Sequence, residues 1–192
     1  MVSCRTLQSV TAIVPAAGLS RRFGGPNKLL QPWGQTTIVG AVVSTLAAFG
    51  LPVIVVTGRD PELVAATCPG ATTVFNDRFE EGLGTSIACG ARVVPDGHAI
   101  LVALGDMPGL RADVLRTLLE ADREGSSIFA PVYESEPERP GHPVLFGSGY
   151  REALAGLNGD DGARSIIQAN RSHLRLFPVS GVLADIDEPN AC

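Results

Sequence analysis

The chain has 192 residues, 45% of them apolar and 18% charged, with 22 glycines and 14 prolines spread along its length. That is enough for one folding unit with a full core, and too apolar for a disordered chain. A formal net charge of −5 argues against a non-specific nucleic-acid binder, because such proteins carry a basic excess that displaces counterions from phosphates.

Taken in chain order, short apolar runs alternate with segments of helical period, the pattern of a parallel sheet covered by helices on both faces. A first strand over 11–15 breaks into Pro15-Ala16-Ala17-Gly18-Leu19-Ser20-Arg21-Arg22-Phe23-Gly24-Gly25-Pro26-Asn27-Lys28, a glycine-rich loop with three cations. Small residues let backbone N–H groups approach phosphate oxygens, glycines permit an anion-cradling nest, and Arg22 and Lys28 add charge, so the combination suits a polyphosphate. Ile38, Val39, Val42, Val43 and Leu46 predict a helix over 36–49 ended by Gly50. A second strand is expected over 53–57, a short helix over 61–66, a third strand over 72–75 and a helix over 85–94 beside Gly82-Leu83-Gly84.

Residues 98–104 have no polar face and predict a central strand, with Asp106 directly after it. Val114, Leu115, Leu118 and Leu119 give the next amphipathic helix, and 127–133 a further strand. The polar, proline-containing stretch 134–141 reads as a mobile loop or an excursion from the main sheet. A short strand over 144–146, a helix over 163–169 and closing strands over 174–179 and 182–186 complete the chain. The cysteines at 4, 68, 89 and 192 form no C-x-x-C pair, and His98, His142 and His173 have no zinc-site spacing, so the cysteines are expected to be reduced packing residues. Residues 1–8 lack the apolar core of a secretory signal, and no run approaches the roughly 18 apolar residues of a membrane span. A cytoplasmic setting without membrane contact is expected.

Asp106 and Asp187 each sit just past an apolar strand, where open α/β sheets gather ligands. Two carboxylates there suit a magnesium ion, which takes one or two and fills its shell with phosphate oxygens and water; the other reading is that each caps a turn or helix. Gly82-Leu83-Gly84-Thr85-Ser86 offers flexible backbone and hydroxyls to a base or ribose, or else a helix cap. Arg139-Pro140-Gly141-His142-Pro143 holds a histidine in a stiff turn, structural or functional. Gly159-Asp160-Asp161-Gly162-Ala163-Arg164 places carboxylates and an arginine at another helix start, which is either a ligand contact or a cap with a surface ion pair.

These motifs, in this order, resemble the molybdenum cofactor cytidylyltransferases, within the nucleotidyltransferases that include the molybdopterin guanylyltransferases. The resemblance runs through Ala16 to Gly24 with Lys28, Gly82 to Ser86, Gly105-Asp106-Met107-Pro108, Gly141-His142-Pro143-Val144-Leu145-Phe146, Gly159 to Arg164 and Asp185-Ile186-Asp187, nearly the whole chain. Phe23 stands where methionine is usual, and the spacing to Lys28 is that of the guanylyl branch. The resemblance implies a single Rossmann-like α/β domain over 1–192, a three-layer sandwich with a mostly parallel sheet like that of the nucleotide-diphospho-sugar transferases. Its N-terminal part would bind nucleotide and roughly 134–170 the second substrate.

It further implies transfer of CMP from CTP to the terminal phosphate of molybdenum-bearing molybdopterin, releasing pyrophosphate, with Mg2+ as cofactor and a recipient molybdoenzyme as partner. Arg22, Lys28 and Asp106 would be catalytic. The nucleotide would be held by Ala16, Ala17, Gly18, Ser20, Arg22, Lys28, Gly82, Gly84, Ser86 and Asp106, the pterin by His142, Pro143, Gly159, Asp160, Gly162 and Arg164, and the metal by Asp106 and Asp187. GTP or another nucleoside triphosphate in place of CTP, and a non-catalytic molybdopterin carrier, stand as alternatives. A nicotinamide-dependent oxidoreductase, with Arg59 meeting a 2′-phosphate, is a further one, although the first turn lacks G-x-G-x-x-G.

Overall fold

The computed structural model describes residues 9–18, 25–121, 125–134 and 139–180. Their centre is a seven-stranded sheet. Strand β1 (Val10–Ala16) lies third from one edge and is buried along its whole length, as expected of a parallel strand covered on both faces. It pairs in parallel with β4 (Val53–Thr57) on one side and β6 (Ala99–Val102) on the other. Strand β5 (Thr72–Phe75) extends the first side in parallel. On the second side the order continues through β8 (Val144–Phe146), β7 (Ile128–Tyr133) and β9 (Leu174–Val179), with β8 antiparallel to both neighbours. A separate two-stranded ribbon pairs β2 (Pro32–Trp33) with β3 (Thr36–Thr37).

Alternation along β1 divides the core. Ala12 and Val14 face helices α1 (Ile38–Ala48), α2 (Pro61–Ala66) and α4 (Ala112–Glu120), contacting a cluster that includes Val42, Leu46, Val64, Leu115 and Leu118. Ile13 faces the opposite layer, with Ile87 and Ala91 of α3 (Leu83–Val93), Leu154 of α5 (Arg151–Ala155) and Ile166 of α6 (Arg164–Ala169). This is the expected three-layer sandwich with a mostly parallel sheet. The backbone of α3 comes close to β1 at Gly90, where a Cβ would fall 2.6 Å from Ile13 Cγ2.

Several boundaries differ from expectation. The helix expected from 36 begins at Ile38, because Thr36 and Thr37 first pair in the ribbon and Thr37 Oγ1 then caps α1 by accepting from Gly40 N–H at 3.1 Å. The helix expected over 85–94 starts two residues earlier, taking in Gly84. The central strand expected over 98–104 pairs only over Ala99–Val102, since the chain turns toward Gly105 after Ala103. Helix α5 is an addition; its five residues are too few to show a period. The strand expected over 182–186 lies outside the described residues. Cys68 is a buried core residue whose thiol is pushed up by burial, and Cys89 is half-buried. Among the described residues no helix is long and apolar enough to cross a membrane.

Candidate active site

The loops after β1, β4, β5 and β6 all leave the sheet at its carboxyl edge, because those strands are mutually parallel. The turn before β8 joins them: β8 runs antiparallel and pairs Val144 with Val102, so His142 and Pro143 lie beside the end of β6. Topology therefore collects motifs more than 120 residues apart in sequence at one edge.

Ala16 and Ala17 are buried and Gly18 is exposed, where the chain leaves β1. Ser20 and Arg22 lie outside the described residues. The loop is then re-anchored by Asn27, which is buried. Asn27 Oδ1 accepts from Leu29 N–H at 3.1 Å, and its Nδ2 donates to the Arg59 carbonyl at 3.4 Å and to Asp60 Oδ2 at 3.3 Å. The Arg59 guanidinium in turn donates to the Gly25 carbonyl at 3.0 Å and pairs with Asp60 at 3.4 Å. These contacts fix where the 3-10 turn Lys28–Leu30 begins, and with it the origin of the Lys28 side chain.

Lys28 reaches Asp106, Nζ to Oδ2 3.3 Å. The lysine side chain is 12% exposed and the aspartate 37%, so the ammonium is largely withdrawn from water while the carboxylate keeps an open side. Asp106 is brought there by Gly105, whose N–H donates to the Pro15 carbonyl at 3.3 Å and whose Cβ position lies 2.8 Å from that same oxygen. Any larger residue would push the Asp106 turn off the end of β1. Asp187, the expected second carboxylate, lies outside the described residues, and no group of three or more potential metal ligands gathers among those described.

Next to Asp106 lies His142. Its backbone carbonyl accepts from Tyr133 Oη–H at 3.2 Å, and its ring lies near the Val102 backbone. Burial pushes the imidazole below its ordinary value; the Val102 contact and Asp106 oppose this, and Arg139 reinforces it. Its Nδ1 is buried and has no hydrogen-bond partner among the described residues.

The start of α3 is welded to the chain ahead of α6. Gly84 N–H donates to the Gly159 carbonyl at 2.8 Å, and Leu83 N–H to Asp160 Oδ1 at 3.5 Å. A Cβ on Gly82 would lie 2.6 Å from the Gly159 backbone, and one on Gly84 2.7 Å from the Asn158 carbonyl. Gly82 also holds φ 124°, which disfavours any other residue. A Cβ on Gly162, which holds φ 55°, would lie 3.1 Å from the Leu83 side chain. Arg164 is exposed and begins α6. The two glycine motifs are thus partners of one another, which their separation in sequence concealed.

Sequence reasoning missed Asn76. It is buried directly after β5, accepts from Arg78 N–H through Oδ1 at 3.0 Å, and donates through Nδ2 to Thr85 Oγ1 at 3.0 Å and Ser86 Oγ at 3.1 Å. A lone Asn before Asp77 reads as a turn, so only its position at a strand's carboxyl end could have raised it.

With this geometry in place, known proteins give it a family. The model of the MobA-like NTP transferase domain matches residues 12–175. The nicotine blue oxidoreductase of Paenarthrobacter nicotinovorans is 32% identical over 169 residues, covering 84% of this chain and 83% of that protein. The molybdenum cofactor cytidylyltransferase of Escherichia coli K12 is 32% identical over 142 residues, covering 72% and 70%. The crystal structure of Rv0371c from Mycobacterium tuberculosis H37Rv superimposes with a TM-score of 0.80 at 28% identity, covering 95% of this chain and 94% of that one.

Proposed function

This chain belongs to the MobA-like NTP transferase family, and we propose that it transfers CMP from CTP to the terminal phosphate of molybdenum-bearing molybdopterin, releasing pyrophosphate. The observation that carries this reading is the Lys28 to Asp106 contact of 3.3 Å beside the loop after β1. It sets one cation and one carboxylate where a triphosphate would lie. The relative named as a molybdenum cofactor cytidylyltransferase supports the choice of substrates.

A phosphate monoester has a second pKa of about 6, so the attacking group is largely dianionic at neutral pH and needs no base. The difficulty is bringing one anion against another, in line with the departing pyrophosphate. Lys28, little hydrated and held by Asp106, keeps its charge aimed into the site, and Arg22 adds a second cation there. Ala16, Ala17, Gly18 and Ser20 offer the nucleotide their backbone, and Gly82, Gly84 and Ser86 bound it on the α3 side. His142, Pro143, Gly159, Asp160, Gly162 and Arg164 face the pterin, and the unpartnered Nδ1 of His142 leaves that ring a polar atom for a ligand.

Magnesium requires only one or two carboxylates when phosphate oxygens complete its shell. Asp106, with one side open, fits that role, joined by Asp187. Bound there, the ion supplies neutralisation of charge on the triphosphate and the leaving group.

The test is incubation with molybdenum-loaded cofactor, magnesium and each of the four nucleoside triphosphates, with the dinucleotide identified by mass spectrometry and pyrophosphate measured. A cytidine dinucleotide with stoichiometric pyrophosphate is expected. A guanosine product would reassign the base, cofactor binding without pyrophosphate would make the protein a carrier, and no product with any nucleotide would overturn transfer.

A second reading, redox catalysis, is favoured by the oxidoreductase relative, which matches more of this chain than the cytidylyltransferase does. Against it, the Arg59 guanidinium is turned to Gly25 and Asp60. Parallel titrations with NADPH and with CTP plus magnesium separate the two.

A further inference from the structure

We propose that Asn76 is a positioning residue that sets the direction of the Ser86 hydroxyl, so that Ser86 donates its proton to an acceptor atom of the bound nucleotide. This rests on the transfer reading above.

The orientation of the Asn76 amide is fixed by chemistry. Arg78 N–H is a donor and nothing else, so the atom 3.0 Å from it must be the amide oxygen. The nitrogen end then faces the two hydroxyls, with one hydrogen for Thr85 Oγ1 and one for Ser86 Oγ. Both oxygens become acceptors from Asn76, and each keeps one proton of its own.

The two protons have different outlets. Thr85 Oγ1 lies 2.8 Å from the Gly82 carbonyl and 3.0 Å from the Arg78 carbonyl, so its proton is spent on the backbone. Ser86 is equally buried, and the Asn76 contact is its single hydrogen bond among the described residues. Its proton has no acceptor there, and Asn76 occupies the lobe of Oγ that faces β5, which turns the O–H away from that side. A buried donor left without an acceptor is unfavourable, and the penalty is removed when a ligand oxygen or ring nitrogen arrives.

The location agrees. Phe79, three residues after Asn76, packs on the loop after β4: a Cβ on Gly58 would lie 2.5 Å from Phe79 Cγ and 2.8 Å from the Ala17 Cβ. Asn76 therefore stands on the segment that backs the loop leaving β1, the same loop whose far end holds Lys28.

The experiment measures magnesium-nucleotide affinity by calorimetry for the wild type and for Ser86→Ala, Ser86→Thr, Asn76→Ala and the Ser86→Ala/Asn76→Ala pair, each confirmed folded by circular dichroism. Ser86→Ala is expected to weaken CTP binding about tenfold, the loss of one hydrogen bond to a charged or polar group, and Ser86→Thr to restore most of it. Asn76→Ala is expected to weaken binding several-fold on its own and to add less than twofold in the Ser86→Ala background, because it acts through that hydroxyl. Multiplying effects, or an unchanged Kd for either single variant, overturn the proposal. If Asn76→Ala does not fold, the Asn76 side-chain amide resonances of wild-type protein decide: a shift on adding CTP and magnesium supports the assignment, and none overturns it. Failure of the wild type to bind any nucleoside triphosphate overturns the transfer reading itself, and is told apart because every variant is then compared with a silent parent.

Discussion

Lys28 and Asp106, 78 residues apart in sequence, meet at 3.3 Å across the carboxyl edge of the central sheet. The pair is partly open to solvent, so its contribution to stability is small, of the order expected for exposed ion pairs. In the proposed transfer its role is catalytic. Lys28→Ala and Asp106→Ala are each expected to fold normally and to lose about 10²-fold or more in transfer rate, the usual cost of deleting one preorganised charge contact. Pyrophosphate release under saturating nucleotide checks this, and near-normal turnover by Lys28→Ala protein removes that residue from the mechanism.

Asn27 is expected to matter through position rather than contact with ligand. Replacing it by alanine leaves the Leu29 N–H and the Arg59 carbonyl without their partner in a buried place, at a cost of about 1–3 kcal/mol. The origin of Lys28 is released at the same time. Urea denaturation should report the loss of stability, and the KM for nucleotide should rise in step.

Gly84 is packed on the carbonyls of Asn158 and Gly159, both backbone atoms that cannot swing aside. Gly84→Ala is expected to destabilise the fold by about 1–3 kcal/mol through overpacking, and to displace the 158–160 segment from α3. Gly18→Ala, where a Cβ meets no atom within 4 Å, is the matched comparison and should leave the melting temperature nearly unchanged.

His142 gives a pH signature. Its folded-state value is depressed below the ordinary 6.5, chiefly by burial. As pH falls below 6.5 the unfolded chain takes up a proton that the folded ring resists, so the stabilisation present above that pH is lost on acidification toward the depressed value. The wild type should therefore lose more stability between pH 7.5 and pH 5.5 than His142→Asn, as measured by urea denaturation at both pH values. Equal losses would mean that the ring titrates normally.

Much of this protein was written in local patterns. The apolar runs at 53–57, 72–75 and 144–146 are strands with the expected bounds, because three to five consecutive apolar or β-branched residues fit a pleated surface. The turn carrying Asp106 follows β6 as expected, because a run of apolar residues with no polar face ends at Gly105. The start of α1 was displaced by two residues, since the ribbon partner of Thr36 and Thr37 is a tertiary choice and not a local one.

What the sequence by itself determined was the layer architecture and the resemblance to a nucleotidyltransferase, both of which depend on residues within about one turn or strand of each other. Only the folded chain decided that Lys28 faces Asp106, that Gly84 rests on Gly159, and that Asn76 holds Ser86. Those pairings are set by strand order and register, which are selected by burial over the whole sheet; no short stretch of sequence contains them.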